Sequence, residues 1–393
     1  MTNQELPLAG IKVVEFSHMV MGPSAGLLLA DLGADVIKVE PLTGDNTRRL
    51  RGSGAGYFSM YNRNKRSVCI DLKSARGRDL ARRLLSKADV FIENFRPGAM
   101  DAAGFSYDEL AEDNPGLLYY SARGFLAGPY EHRTALDEVA QMMGGLAYMT
   151  GPPGQPLRAG ASVIDVVGGM FGAIGLLSAL ELRRRSGRGQ HINSALFEST
   201  AFLVGQHMAQ YAVTGTPAPP MPVRVSAWAV YDIFTCKDDQ QVFVAVVSDT
   251  QWRKFCAEFA LDEFARDDTL AENNSRVQQR DLILPRVRAL FLELNSAELM
   301  AQLDRCGLPY APVSRPEDLF TDPHLLASGG LLDVTTPEGK ATRLPALPVQ
   351  LDGKRPGLRR DVPKQGEHTR EVMQELGLVD AAIDALINDR VLA

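Results

Sequence analysis

Between Ile11 and Phe125 the chain repeats one arrangement: a short apolar run, a helical pattern, then another apolar run. The runs are IKVVEF, DVIKVE, RSVCIDLK, DVFIENF and GLLYYSARGF, and the helical patterns between them include SAGLLLADLGA and GRDLARRLLSKA. A strand with one wet face alternates apolar and polar residues, whereas these runs are nearly continuous, as in parallel strands buried on both faces by helices. An α/β fold with a Rossmann-like sheet is therefore predicted for the first third.

Further on, VVGGMFGAIGLLSALELRRR from Val166 to Arg185 reads as a long helix that ends in basic residues and the glycines Gly187 and Gly189, with Asp165 at its start. HINSALFESTAFLVGQHMAQYAV reads as another helix, and the proline-rich TGTPAPPMPVR that follows reads as a crossing between domains. VYDIFTCKDDQQVFVAVV gives two strands around a turn, followed by helical patterns. The predicted organisation is a large domain from 1–205 and 331–393, a linker over 206–225, and a smaller α+β domain over 226–330. A chain of 393 residues, 45% hydrophobic and 23% charged, has the material for two such cores.

A net charge of −6 supplies no basic field for nucleic acid or an anionic membrane, so neither is an expected partner. No apolar run is read as a membrane span, and MTNQELPLAG lacks the order of a signal peptide, so a cytoplasmic location is expected. Cys69, Cys236, Cys256 and Cys306 are widely spaced, which points to neither a zinc site nor a disulfide framework.

Four segments could carry chemistry. Gly22-Pro-Ser-Ala-Gly26 matches G-x-S-x-G between a strand and a helix, where Ser24 would be a hydrolase nucleophile or the motif a plain tight turn. Asn62-Arg-Asn-Lys-Arg66 gathers Arg63, Lys65 and Arg66, suited to phosphates or to a solvated surface. Asn94-Phe-Arg-Pro-Gly98 ends a predicted parallel strand, where such folds bind ligands, with Phe95 beside Asn94 and Arg96. Asp165 stands between the apolar ASVI and VVGGM, as a nucleophile kept from water or as a helix N-cap. Gly168 and Gly169 inside the first turn mark a close approach of backbone or ligand.

Taken together, LAGIKVVEFSHMVMGPSAGLLLADLGADVIKVE, YNRNKRSVCIDLK, ADVFIENFRPGAMDAAGFSYDEL, LDEVAQMMGG, DVVGGMFGAIGLLSALELRRRSGRGQ, GLPYAPV and GEHTREVMQELGL resemble the family III CoA-transferases, the CaiB/BaiF or formyl-CoA transferase-like group. The resemblance implies a Rossmann-like large domain built from both chain ends, and two chains threaded as interlocked rings in a homodimer. It implies CoA exchange between an acyl-CoA and a small carboxylic acid, with coenzyme A as carrier and no metal or redox cofactor. By the same matching Asp165 is the nucleophile that forms an anhydride and then an aspartyl-CoA thioester, and Asp137 an acidic neighbour. CoA contacts fall on Met19, Val20, Ile70, Asp71, Leu72, Lys73, Asn94, Phe95 and Arg96. Val20 replaces a glutamine of the formyl-transferring members, and Pro41 and Ala102 replace CoA-binding arginines, for which Arg63, Arg66 or Arg96 could substitute. The glycine-rich loop of those enzymes is missing, so formyl-CoA is not the expected substrate.

Three rival readings stay open: racemase-type proton transfer, for which RTALDEVAQ has no histidine in the matching place; Ser24-dependent hydrolysis; and CoA binding without catalysis. Arg224, after the prolines, is a candidate for the distal carboxylate of a dicarboxylyl group such as succinyl.

Overall fold

Six strands form one sheet in the order β3-β2-β1-β4-β5-β6, with every neighbouring pair parallel. They are β1 Lys12–Phe16, β2 Asp35–Glu40, β3 Lys65–Cys69, β4 Val90–Glu93, β5 Leu118–Arg123 and β6 Gln190–Ala195. Successive side chains enter opposite cores. Val14, Phe16, Ile37, Val39 and Phe91 pack with Leu80 and Leu84 on one face. Val13, Val36, Val90 and Ile92 pack with Met21, Ala25, Leu29, Leu176 and Leu180 on the other. Burial on both faces is why the strands read as continuous apolar runs. This strand order reverses between β1 and β4, which opens a crevice at the carboxyl ends of those two strands.

The structure, a computed structural model, describes residues 5–224 and 226–393. The chain divides into two compact units, one holding the chain up to Pro222 together with Pro323–Ala393, the other Val223–Asp322. The sheet lies in the first. Its edge strand β3 is covered by the chain's last segment: His368 N donates to Ser67 O at 2.9 Å, and Cys69 N donates to Thr369 Oγ1 at 3.1 Å. The helices Thr369–Glu375 and Asp380–Asn388 bury Val372, Met373, Ile383 and Leu386 in the same core as Leu80 and Leu84. An edge covered in this way offers no free ladder to another chain. The hairpin β10 Leu331–Thr335 with β11 Ala341–Pro345 belongs to this unit as well. In the second unit, β7 Tyr231–Thr235, β8 Gln241–Ala245 and β9 Tyr310–Pro312 form an antiparallel sheet. Its core centres on Trp252, Phe255, Phe259 and Phe291.

Several expectations need correction. HINSA is not helical: it is β6, a sheet-edge strand whose burial alternates, so no apolar run announces it. Helix runs Leu196–Leu203 and Gly205–Thr214, so the first part of the predicted 206–225 linker is helical and stops at Gly215, which is left-handed with φ +69°. The second unit ends at Asp322, before residue 330, because Pro323 opens a helix of the first unit. The long helix is Val163–Ser186, three residues longer at its start than read. An 18-residue window of it has mean hydropathy 2.0, so by length and composition it is long and apolar enough to cross a membrane, contrary to the reading that no run is.

That helix packs closely on Met21–Asp31, and glycines permit it. A Cβ on Gly169 would lie 2.0 Å from Ser24 Oγ, and one on Gly168 would lie 2.7 Å from Met21 Cε. Gly22 and Gly26 seat Met21–Asp31 on the sheet, where added Cβ atoms would strike Ser17 and Glu15. The G-x-S-x-G pattern is therefore a packing motif. Ser24 lies within the helix, buried, donating to Met21 O at 2.9 Å.

Candidate active site

A cavity of about 350 Å³ opens at the crevice between β1 and β4. After β1 the chain turns through His18 and Met19, and after β4 through Asn94, Phe95 and Arg96. Two hydrogen bonds join these turns: His18 N donates to Asn94 Oδ1 at 3.0 Å, and Asn94 Nδ2 donates to His18 O at 2.7 Å. Met19 adopts a left-handed φ of 63°, and its N–H is held by Thr47 Oγ1 at 3.0 Å. Such a conformation is costly for a residue with a Cβ, and the bond to Thr47 helps to fix it. The His18 ring lies against Phe95, with centroids 5.3 Å apart. Burial lowers the His18 pKa, opposed by Asp45, so the neutral imidazole is favoured.

The far wall carries the carboxylates. Asp165 lines the cavity in the first turn of Val163–Ser186, and Ser162, not Asp165, is the N-cap. Among the described residues its carboxylate has neither an ion pair nor a hydrogen bond. Burial raises its pKa to about 7, and the nearby charges of Asp137 and Glu138 push the same way. Asp137 begins the helix Asp137–Met143, and its Oδ2 accepts from Ile164 N at 2.8 Å and Asp165 N at 3.1 Å. It thus caps the long helix from another element and satisfies backbone donors that Ser162 does not reach. Glu138 pairs with Arg158. Tyr57 Oη lies 3.1 Å from Ser162 Oγ, and the Tyr61 phenol is pushed up to about 12 by burial and by Asp165.

Of the residues singled out from sequence, Met19, Asn94, Phe95, Arg96, Asp137 and Asp165 meet at this cavity. Gly168 and Gly169 lie one turn beyond Asp165 in the helix contact. Val20 is fully buried and does not face the cavity. The basic cluster turns inward: Arg63 Nη2 is 2.6 Å from Asp31, Lys65 Nζ is 2.8 Å from Glu15, and Arg66 pairs with Asp35, Glu371 and Glu375. All three cations are buried, so neither Arg63 nor Arg66 is left for phosphate. Ile70 is bridged to Leu392, Asp71 N donates to Val391 O, and Leu72 packs on the core. Lys73 is exposed. Arg224 is exposed and belongs to the second unit.

Sequence reasoning missed His18 and Arg123, both at strand ends beside the crevice and so within reach of the argument that found Asn94. Arg123 joins β5 to β4, pairing with Glu93 at 2.7 Å and donating to Phe95 O at 3.0 Å. No cluster of three or more metal-type ligands occurs among the described residues.

A parallel sheet of Rossmann order with a cavity and an unpaired carboxyl at its crevice is the setting of a small-molecule site. The chain belongs to CoA-transferase family III, whose sequence profile matches residues 8–369. It is an acyl-CoA:carboxylate CoA-transferase, with CoA as substrate and carrier. It is 34% identical to the succinate–glutarate CoA-transferase of Agrobacterium fabrum, over 97% of this chain and 98% of that one. It is 32% identical to the acetyl-CoA:oxalate CoA-transferase of Acetobacter aceti, over 95% and 97%. A solved CaiB/BaiF family protein from Brucella suis superposes with TM-score 0.86 at 34% identity, covering 94% of this chain and 99% of the other.

Proposed function

We propose that Asp165 is the nucleophile of a CoA exchange between a dicarboxylyl-CoA donor, succinyl-CoA the first candidate, and a free carboxylic acid. One observation carries the reading: Asp165 is the cavity carboxylate without a partner, held among other carboxylates. Its oxygen attacks the thioester carbonyl, the C–S bond breaks, and CoA thiolate leaves a mixed anhydride. The thiolate attacks the aspartyl carbonyl, the C–O bond breaks, and the donor leaves as a carboxylate while Asp165 becomes a CoA thioester. The acceptor carboxylate reverses these steps and restores Asp165. Each intermediate keeps an activated acyl group, and atoms and charge balance throughout. A carboxyl whose ionised form is poorly stabilised is the more nucleophilic for it. Met19, Asn94 and Phe95 are proposed to hold CoA near its thioester, with the exposed Arg96 and Lys73 as cations for its phosphates.

The substrate class rests on likeness to the succinate–glutarate enzyme. Arg224 is kept as a candidate for the distal carboxylate: Arg224→Ala is expected to raise KM for succinyl-CoA more than for acetyl-CoA, and equal KM values would remove it. The racemase reading is disfavoured because His132, the histidine just before RTALDEVAQ, is exposed and paired with Glu131.

A homodimer of interlocked rings, in the cytoplasm, completes the proposal. The helix Gly205–Thr214 has no buried residue, with Met208, Tyr211 and Val213 exposed, and Ile174 and Phe202 are exposed as well. A surface of this kind needs a cover. A monomer mass by light scattering would end the dimer reading, and fractionation tests the compartment.

The deciding experiment incubates the protein with succinyl-CoA and a panel of carboxylates, follows new acyl-CoA by mass spectrometry, and traps the enzyme with hydroxylamine. A new acyl-CoA with an adduct on Asp165 is expected. Free CoA and acid alone would mean hydrolysis, α-proton washout without exchange would mean a racemase, and binding without turnover would mean a CoA-binding protein.

A further inference from the structure

Gln141 lies on the same face of its helix as Asp137, four residues on, and is completely buried. Both ends of its amide are occupied: Oε1 accepts from Ala159 N at 2.8 Å, and Nε2 donates to Asp137 Oδ1. Because a backbone N–H can only donate, Oε1 must face Ala159, which leaves Nε2 for Asp137. The other Asp137 oxygen accepts from Ile164 and Asp165. Three donors thus converge on one buried carboxyl, and the Gln141–Asp137 pair ties the segment from Ala159 to Asp165 to the neighbouring helix at both its ends.

We propose that Gln141 is a positioning residue of the transfer reaction: its amide holds the Asp137 carboxyl against the first turn of the long helix, fixing where Asp165 points and keeping a carboxylate beside it. This rests on Asp165 being the nucleophile. Without the amide, Asp137 is free to turn from the helix, and the backbone of Asp165 loses its anchor. Asp165 is also faced by Glu138, which pairs with Arg158, and by the phenols Tyr57 and Tyr61. The remaining charged or titratable groups on the cavity wall are His18, Arg96, Arg123, Glu131 and Arg133. None of these is tied to Gln141, so their influence on Asp165 is common to wild type and variants.

The test is the pH profile of succinyl-CoA exchange in wild type, Gln141→Leu and Gln141→Glu, with hydroxylamine trapping and thermal melting of each. Gln141→Leu is expected to lower kcat on the order of 10- to 100-fold, with little change in KM for the acyl-CoA. Gln141→Glu keeps an acceptor for Ala159 but sets a second acid against Asp137, and should move the acid limb of the profile up by roughly one pH unit. If Gln141→Leu does not fold, the Glu variant decides alone. Wild-type trapping on Asp165 with an unmoved limb in Gln141→Glu, or melting losses without the kcat loss, would overturn the role of Gln141 and leave the nucleophile intact. Wild-type exchange without an Asp165 adduct would overturn the nucleophile, and this inference with it.

Discussion

Two groups of charged residues, Arg63–Lys65–Arg66 and Asp137–Glu138–Asp165, invert what their sequences suggest. The first looks like an exposed basic loop. In space each cation meets carboxylates from other elements, so the charge is neutralised and buried. The second is spread over 29 positions of unremarkable sequence, yet three acids converge there and, among the described residues, only Glu138 has a cation. Burial without a partner is unfavourable for an ionised carboxylate, so one kept at the wall of a cavity is a candidate reactive position. Charge density along the chain is a poor guide to a site; charge left unneutralised in space is a better one.

Removing the odd carboxylate should have the largest effect on activity. Asp165→Asn is expected to lower exchange by on the order of 10³-fold or more, because an amide cannot form the anhydride. The same change should alter stability with a definite sign. The folded pKa of Asp165 is about 7, above its ordinary 3.8, so its stabilising contribution is present below the ordinary value and lost as pH rises through 7. Denaturation at pH 8 should therefore find Asp165→Asn more stable than wild type by roughly 1–3 kcal/mol, with the advantage gone near pH 4. A variant equally weakened at both pH values would show that Asp165 is a structural group.

The paired cluster predicts the opposite phenotype. Arg63→Leu leaves the buried Asp31 carboxylate without its cation and should cost about 3–5 kcal/mol of stability. KM for the acyl-CoA should stay within about twofold in the folded fraction, since the guanidinium is buried away from the cavity. A raised KM with an unchanged melting temperature would restore Arg63 to the CoA site and dissolve the contrast.

What could be read from sequence follows the same division. The parallel sheet was legible because burial on both faces writes continuous apolar runs, as in Val36, Ile37 and Val39. β6 was not, since at the sheet edge only Ser194 and Ala195 of its six residues are buried. Asp165, the proposed nucleophile, was singled out through resemblance and the two glycines after it, although those glycines serve contact with Met21 and Ser24. The fate of Arg66 was not, because Glu371 and Glu375 lie about three hundred residues away and only the folded tail brings them near. Gln141 was silent for a related reason: a polar residue on a short helix carries no sign of burial until Ala159 closes over it.

The smallest effect is expected at Arg96. It is exposed at the crevice and, among the described residues, no carboxylate pairs with its side chain. A cation left unpaired beside the proposed CoA site would bind phosphate in solvent, where screening keeps the interaction at about 1 kcal/mol. Arg96→Gln should then raise KM for acyl-CoA several-fold, leave kcat and melting temperature unchanged, and lose its distinction from wild type at high salt. Succinyl-CoA and acetyl-CoA should be affected equally, since the contact is to the carrier and not to the acyl group. A loss of melting temperature in place of the KM effect would place Arg96 with Arg63 among structural cations, and the neutralisation rule would then fail at an arginine where it predicts a ligand.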